Sequence, residues 1–84
     1  MPLFMDVHET MPEGAGAKDV AQAHAADVAT QDKYGVKYHK YWFNEDTGEI
    51  WCLAEAPDKE AAVAVHRESH GLVAEEITEV KEGS

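Results

Sequence analysis

Leu3 to Val7 is a short apolar run broken only by Asp6, which predicts a first strand reaching about Glu9. Pro12, Gly14 and Gly16 then read as a loop. From Ala17 to about Lys33 the period becomes helical. Val20, Ala21, His24, Val28 and Gln31 fall on one side, with Asp19, Gln22 and Thr30 roughly opposite. Gly35 is placed to stop that helix. Val36 to Asn44, rich in Val, Tyr, Trp and Phe, predicts a second strand. Glu45-Asp46-Thr47-Gly48 is turn chemistry, with Gly48 suited to the left-handed position of a short hairpin loop. Glu49 to Glu55 is a third strand. Asp58 is an N-cap for a helix running to about His70 and ended by Gly71. Ile77 to Val80 is a short last strand, followed by a polar tail ending at Gly83-Ser84.

The order is strand, helix, strand, strand, helix, strand. Right-handed crossovers in both strand-helix-strand units give an α+β ferredoxin-like βαββαβ sandwich: a four-stranded antiparallel sheet with both helices on one face. A chain of 84 residues suggests one domain over 1–84.

One feature of the pattern does not suit a sheet with a wet face. Tyr41, Trp42 and Phe43 are consecutive, as are Ile50, Trp51, Cys52, Leu53 and Ala54. Consecutive strand residues point to opposite faces. The helices cover one face, so large apolar side chains remain on the other, and a homodimer pairing through the sheet would bury them. An open apolar ligand groove on a monomer is the alternative.

Composition narrows the partners. Asp and Glu number 17 against 7 Lys and Arg, a net charge of -10. Such a surface repels phosphate backbones and anionic lipid, which argues against nucleic-acid or membrane binding. The first residues lack the basic region and apolar run of a targeting signal. The single cysteine, Cys52, excludes a disulfide within the chain and suits a reducing cytoplasm. In a central apolar strand it reads as a small hydrophobe.

Candidate chemistry lies with the five histidines. His66 and His70 are four apart on the second helix, which stacks two imidazoles about 6 Å apart at Cβ. They flank the apolar stripe of Ala61, Ala62, Val65 and Ser69 and are expected at the helix edge. In this topology the first strand and second helix run the same way. Their C-terminal ends therefore bring His8 and Glu9 towards His66 and His70, with Asp46 in the nearby hairpin. His8, Glu9, His66 and His70 form the candidate metal site, suited to nickel, zinc or copper. Glu68 falls on another side of the helix. His24 reads as a buried histidine with one hydrogen bond, and His39 as a cross-strand partner of Glu55. Phosphate loops, dinucleotide-binding glycine motifs, paired Cys-x-x-Cys and serine elbows are all missing from the sequence.

Four segments carry a resemblance: Met1 to Glu9, Lys40-Tyr41-Trp42, Cys52 to Asp58, and Val65-His66-Arg67-Glu68-Ser69-His70-Gly71. Together they are similar to a family of small bacterial proteins, long labelled a domain of unknown function, that includes an actinobacterial nickel-binding protein. The resemblance spans nearly the whole chain. It implies a ferredoxin-like homodimer that binds nickel(II), for sequestration or delivery, without established catalysis. The ligand choice above rests on spacing and topology, not on the family. The rival function is a small dimeric αβ-barrel enzyme of oxygenase or isomerase type. An enzyme predicts polar groups converging inside a pocket between helices and sheet or at the dimer interface. A carrier predicts ligands near a rim.

Overall fold

The computed structural model describes residues 1–9 and 16–83, so the loop signals at Pro12 and Gly14 lie outside it, as does Ser84. In chain order the elements are β1 (Leu3–His8), α1 (Ala17–Thr30), β2 (Lys37–Phe43), β3 (Ile50–Glu55), α2 (Lys59–Ser69) and β4 (Glu76–Val80). The sheet order is β2-β3-β1-β4, and every neighbouring pair is antiparallel. This is the expected ferredoxin-like arrangement, with β1 in the interior of the sheet.

Local chemistry sets the boundaries. Asp19 accepts the Gly16 N–H at 2.9 Å, which caps the start of α1. A 3-10 turn over Gln31–Tyr34 extends α1, and Gly35 closes it in the left-handed region at φ 69. Gln31 Oε1 accepts the Tyr38 N–H at 2.8 Å, tying that end to β2. The Asp58 carboxylate accepts the Ala61 N–H at 2.8 Å, as its N-cap reading requires. In the β2–β3 hairpin Asn44 Oδ1 accepts the Asp46 and Thr47 amides, and Gly48 takes φ 80. A bulge between Tyr38 and Lys40 sets Lys37, not His39, opposite Glu55. His39 Nε2 still reaches Glu55 Oε1, at 2.7 Å.

The buried face of α1 differs from expectation. Val20 and Asp27 are buried, whereas Val28 is 44% exposed. In this alanine-rich helix the apolar contrast around the axis is weak. Asp27 turns inward because it finds partners on α2, so the helix is rotated away from the stripe that hydrophobicity alone selects.

The core lies between the sheet and the helices. Phe4, Val36, Tyr38, Cys52, Ala54, Ala56, Ala62 and Val65 form it. On the sheet's other face β1 places Leu3, Met5 and Val7, which pair with Val80, Leu53 and Trp51 respectively. Trp51 pairs in turn with Trp42, which is 47% exposed. Among the described residues nothing covers this apolar face. On the helix side β1 presents Phe4, Asp6 and His8, all buried. Two polar groups thus stand in the middle of the core.

Candidate metal centre

Asp6 and His8 face inward from β1 and meet side chains from every layer around them. Tyr38 comes from β2, Cys52 from β3, Asp27 from α1, and His66, Ser69 and His70 from the C-terminal end of α2. His66 is the hub. It is 1% exposed, although its sequence position flanking the apolar stripe suggested the helix edge. The reason is that both ring nitrogens find buried carboxylates. Nδ1 bonds Asp27 Oδ1 at 2.9 Å and Nε2 bonds Asp6 Oδ2 at 2.9 Å. A polar ring so satisfied tolerates full burial.

The surrounding bonds fix both carboxylates. Ser69 Oγ donates to Asp27 Oδ1 at 2.6 Å, and His70 Nε2 lies 3.1 Å from the same oxygen. The Leu72 amide donates to His70 Nδ1 at 3.0 Å, which sets Nε2 as the protonated nitrogen facing Asp27. The Tyr38 hydroxyl lies 3.2 Å from Asp6 Oδ2 and from the Ala62 carbonyl. His8 Nε2 is 3.5 Å from Asp6 Oδ1, beyond a good hydrogen bond. Asp6 Oδ1 is buried and has no hydrogen-bond partner among the described residues.

These contacts decide protonation. Burial opposes charge on His66, but its bonds to Asp27 and Asp6 outweigh that and hold its pKa up to about 9. Burial would raise Asp27, yet the bonds from His66 and His70 pull it well below the usual carboxylate range. Burial pushes the His8 pKa below 6.5. Burial, and then the charge of Asp6, pushes Tyr38 and Cys52 far up. At neutral pH the centre therefore holds an imidazolium at His66, a neutral His8, a phenol and a thiol.

Two donor sets result, each with its ligand atoms within 4.8 Å of one another: Asp6, His8, Cys52 and His66, and Asp27, His66 and His70. Of the four residues singled out from the sequence, His8, His66 and His70 come together. The rings of His8 and His70 stand 5.1 and 4.9 Å from that of His66. Glu9 is exposed outside both sets, and its amide donates to Glu75 Oε2 at 2.9 Å. Asp46 is also exposed, in the hairpin. Sequence reasoning passed over Asp6, Asp27, Cys52 and Tyr38. The available signal was Asp6, the one charged residue inside an otherwise apolar strand.

A cavity of about 90 Å³ between α1 and the sheet opens onto the centre. Of the residues that line it, His8, Cys52 and His66 are buried, His24 and His70 are half-buried, and Leu72 is exposed. The donors thus converge inside a pocket instead of clustering at a rim.

Fold and site together define a small ferredoxin-like protein with a buried nitrogen, oxygen and sulfur donor cluster. A family model described as nickel responsive protein, SCO4226-like, matches residues 4–80, and the chain belongs to that family. It is similar to the crystal structure of SCO4226 from Streptomyces coelicolor A3(2), at 39% identity and a TM-score of 0.87, covering 98% of this chain and 99% of that one. No curated protein matches.

Proposed function

We propose that this chain binds a divalent transition-metal ion, nickel(II), through Asp6, His8, Cys52 and His66, in order to sequester or deliver it. The observation that carries this reading is the buried Asp6 Oδ1, a carboxyl oxygen without a hydrogen-bond partner among two imidazoles and a thiol. A buried polar atom without a partner is costly, and a cation satisfies it. Asp27 lacks that vacancy, because Ser69, His66 and His70 already occupy its oxygens. It acts instead on His66 Nδ1–H, orienting the ring so that Nε2 faces Asp6 and His8. His70, which helps to hold Asp27, then stands outside the first donor set.

The charge balance favours the exchange. Binding requires loss of one proton from His66 and one from Cys52. Two protons leave and one divalent ion enters, so the buried net charge is unchanged. The borderline donors suit nickel, and also zinc or copper. The family's description as nickel responsive selects nickel. A thiol among the ligands requires a reducing compartment, so we place the function in the cytoplasm. Among the described residues no helix is long and apolar enough to cross a membrane. Elemental analysis of untagged protein, after nickel loading and desalting, should find about one nickel per chain. A metal content at buffer level would end this reading.

We further propose that two chains pair through the open sheet face. What supports the pairing is the continuous apolar surface of Met5, Val7, Trp51, Leu53 and Trp42, which a small acidic protein would otherwise expose to water.

The cavity favours a second reading. Polar groups converging inside a pocket between helix and sheet are the arrangement expected of a small αβ-barrel enzyme. His8, its pKa lowered by burial, is one group there able to accept a proton. If the wild type takes up no metal, this reading replaces the first.

A further inference from the structure

We infer that the Tyr38 hydroxyl is a positioning group for the metal centre: it takes over Asp6 Oδ2 when His66 ligates an ion through Nε2, and so holds Asp6 with Oδ1 as its ligating oxygen. The inference rests on the nickel-binding reading and adds a residue outside the donor set.

Among the described residues two donors reach Asp6 Oδ2: His66 Nε2 at 2.9 Å and the Tyr38 hydroxyl at 3.2 Å. Neither bonds Oδ1, which is buried without a hydrogen-bond partner. Ligation through Nε2 needs a lone pair on that nitrogen, so its hydrogen leaves to solvent. Asp6 Oδ2 then loses the nearer of its two donors. A buried carboxylate oxygen left without a donor is costly, and a carboxylate that turns about its Cβ–Cγ bond presents no fixed oxygen to an ion. Tyr38 is the remaining described group in reach.

The hydroxyl is suited to that exchange. It carries one hydrogen and has two acceptors at the same distance, Asp6 Oδ2 and the Ala62 carbonyl, each at 3.2 Å. While His66 Nε2–H occupies Oδ2, the hydrogen is available to Ala62. Rotation about the phenol C–O bond alone moves it to Asp6. Ala62 is not orphaned by the move, because its carbonyl lies inside α2, where helical geometry offers it the His66 amide as well. Burial and the charge of Asp6 keep the phenol protonated, so a hydrogen is present to donate. The oxygen is also held in place. The Tyr38 amide bonds Gln31 Oε1 at 2.8 Å. The Tyr38 ring lies against that of His66, with centroids 4.8 Å apart and planes tilted by 35°, which puts the hydroxyl 3.1 Å from Nε2.

Two measurements on the full-length chain test this, with nickel(II) alone as the probe. The first is equilibrium titration of wild type, Tyr38→Phe and Val65→Ala. Tyr38→Phe removes only the oxygen and should bind the same number of ions with about 10–100-fold lower affinity. Val65→Ala loosens the same core without touching Asp6 and should keep the wild-type affinity. The second measurement leaves Tyr38 in place. The chain has three tyrosines, so the double variant Tyr34→Phe/Tyr41→Phe retains Tyr38 alone. Its infrared phenol C–O band should shift on nickel loading, because a hydrogen bond to a carboxylate is stronger than one to a carbonyl. A tyrosine that only supports the fold gives a band that nickel does not move. An unmoved band in nickel-loaded protein removes the role of Tyr38 and leaves the binding reading standing. That measurement decides alone should Tyr38→Phe fail to fold. Wild-type affinity in Tyr38→Phe also overturns the inference, as does an equal loss of affinity in Val65→Ala. If wild type takes up no nickel, the binding reading fails and the role of Tyr38 with it.

Discussion

His66 Nε2 and Asp6 Oδ2, sixty positions apart in the chain, meet at 2.9 Å in the interior of the protein. Asp27 meets the other side of the same ring. One imidazolium thus joins the central strand to both helices. A metal ion held by His66 would replace the Nε2 proton that faces Asp6 and leave the Nδ1 bond to Asp27 in place.

The metal-free protein should lose stability as pH rises from 6.5 to 9. The pKa of His66 is raised from 6.5 to about 9 on folding, so its contribution is complete below 6.5 and disappears as pH passes the folded value. The full loss is of the order of 3 kcal/mol. His8, whose pKa is lowered, acts below 6.5 and does not confuse this window. Urea denaturation at intervals across it measures the slope. A flat profile would show that His66 is neutral in the folded state.

Nickel affinity should rise with pH through the same window. With His66 and Cys52 both protonated below pH 9, each binding event releases two protons, and affinity gains about a hundredfold per pH unit. Calorimetry in buffers of different ionisation enthalpy counts the protons. A count of zero removes His66 and Cys52 from the ligand set.

Asp27→Asn should weaken nickel binding by about 10–100-fold while leaving the donor set complete. The nickel-loaded wild type should show a near-ultraviolet thiolate-to-metal absorption, and Cys52→Ser should bind nickel more weakly and lack it. Identical spectra for wild type and Cys52→Ser would place the ion elsewhere, with Asp27, His66 and His70 as the next set.

Much of this was legible in the chain. Asp58, Gly48, Gly35 and Gly71 announce a cap and three left-handed positions through local chemistry, and local chemistry needs no knowledge of the rest of the fold. The meeting of His8 with His66 and His70 followed from topology. The carboxylates did not. Asp27, seven residues after Val20, lies at the margin of the apolar stripe, where a carboxylate is ordinarily turned to water, and a partner on another helix draws it inward. The same partner draws His66 inward. Burial of a charged group is a property of the pair, and a pattern read one position at a time does not contain it.

Two substitutions separate scaffold from site. Asp58→Ala removes the α2 cap and should cost about 1 kcal/mol. Val65→Ala opens a cavity where the side chain is completely buried and should cost about 2 kcal/mol. Thermal unfolding of both, with nickel titration alongside, should show lower midpoints and unchanged stoichiometry.

Sedimentation at micromolar concentration should report about twice the chain mass. Trp51→Glu, on the open face, should shift it to the monomer with the secondary structure intact. A wild type that sediments as a monomer leaves that face for another ligand.

The placement of Asp6 also bears on when the chain can finish folding during synthesis. β1 emerges first, yet its neighbours are β3 and β4, and the partner of its buried carboxylate is His66. Until the ribosome has released most of the chain, Asp6 has neither strand beside it nor a counter-charge. Such distant contacts close slowly, because the entropy of the long intervening loops is lost before they form. A nascent chain stalled before α2 should remain open to protease. Protection should arrive in a single late step, once α2 and β4 are both free of the ribosome.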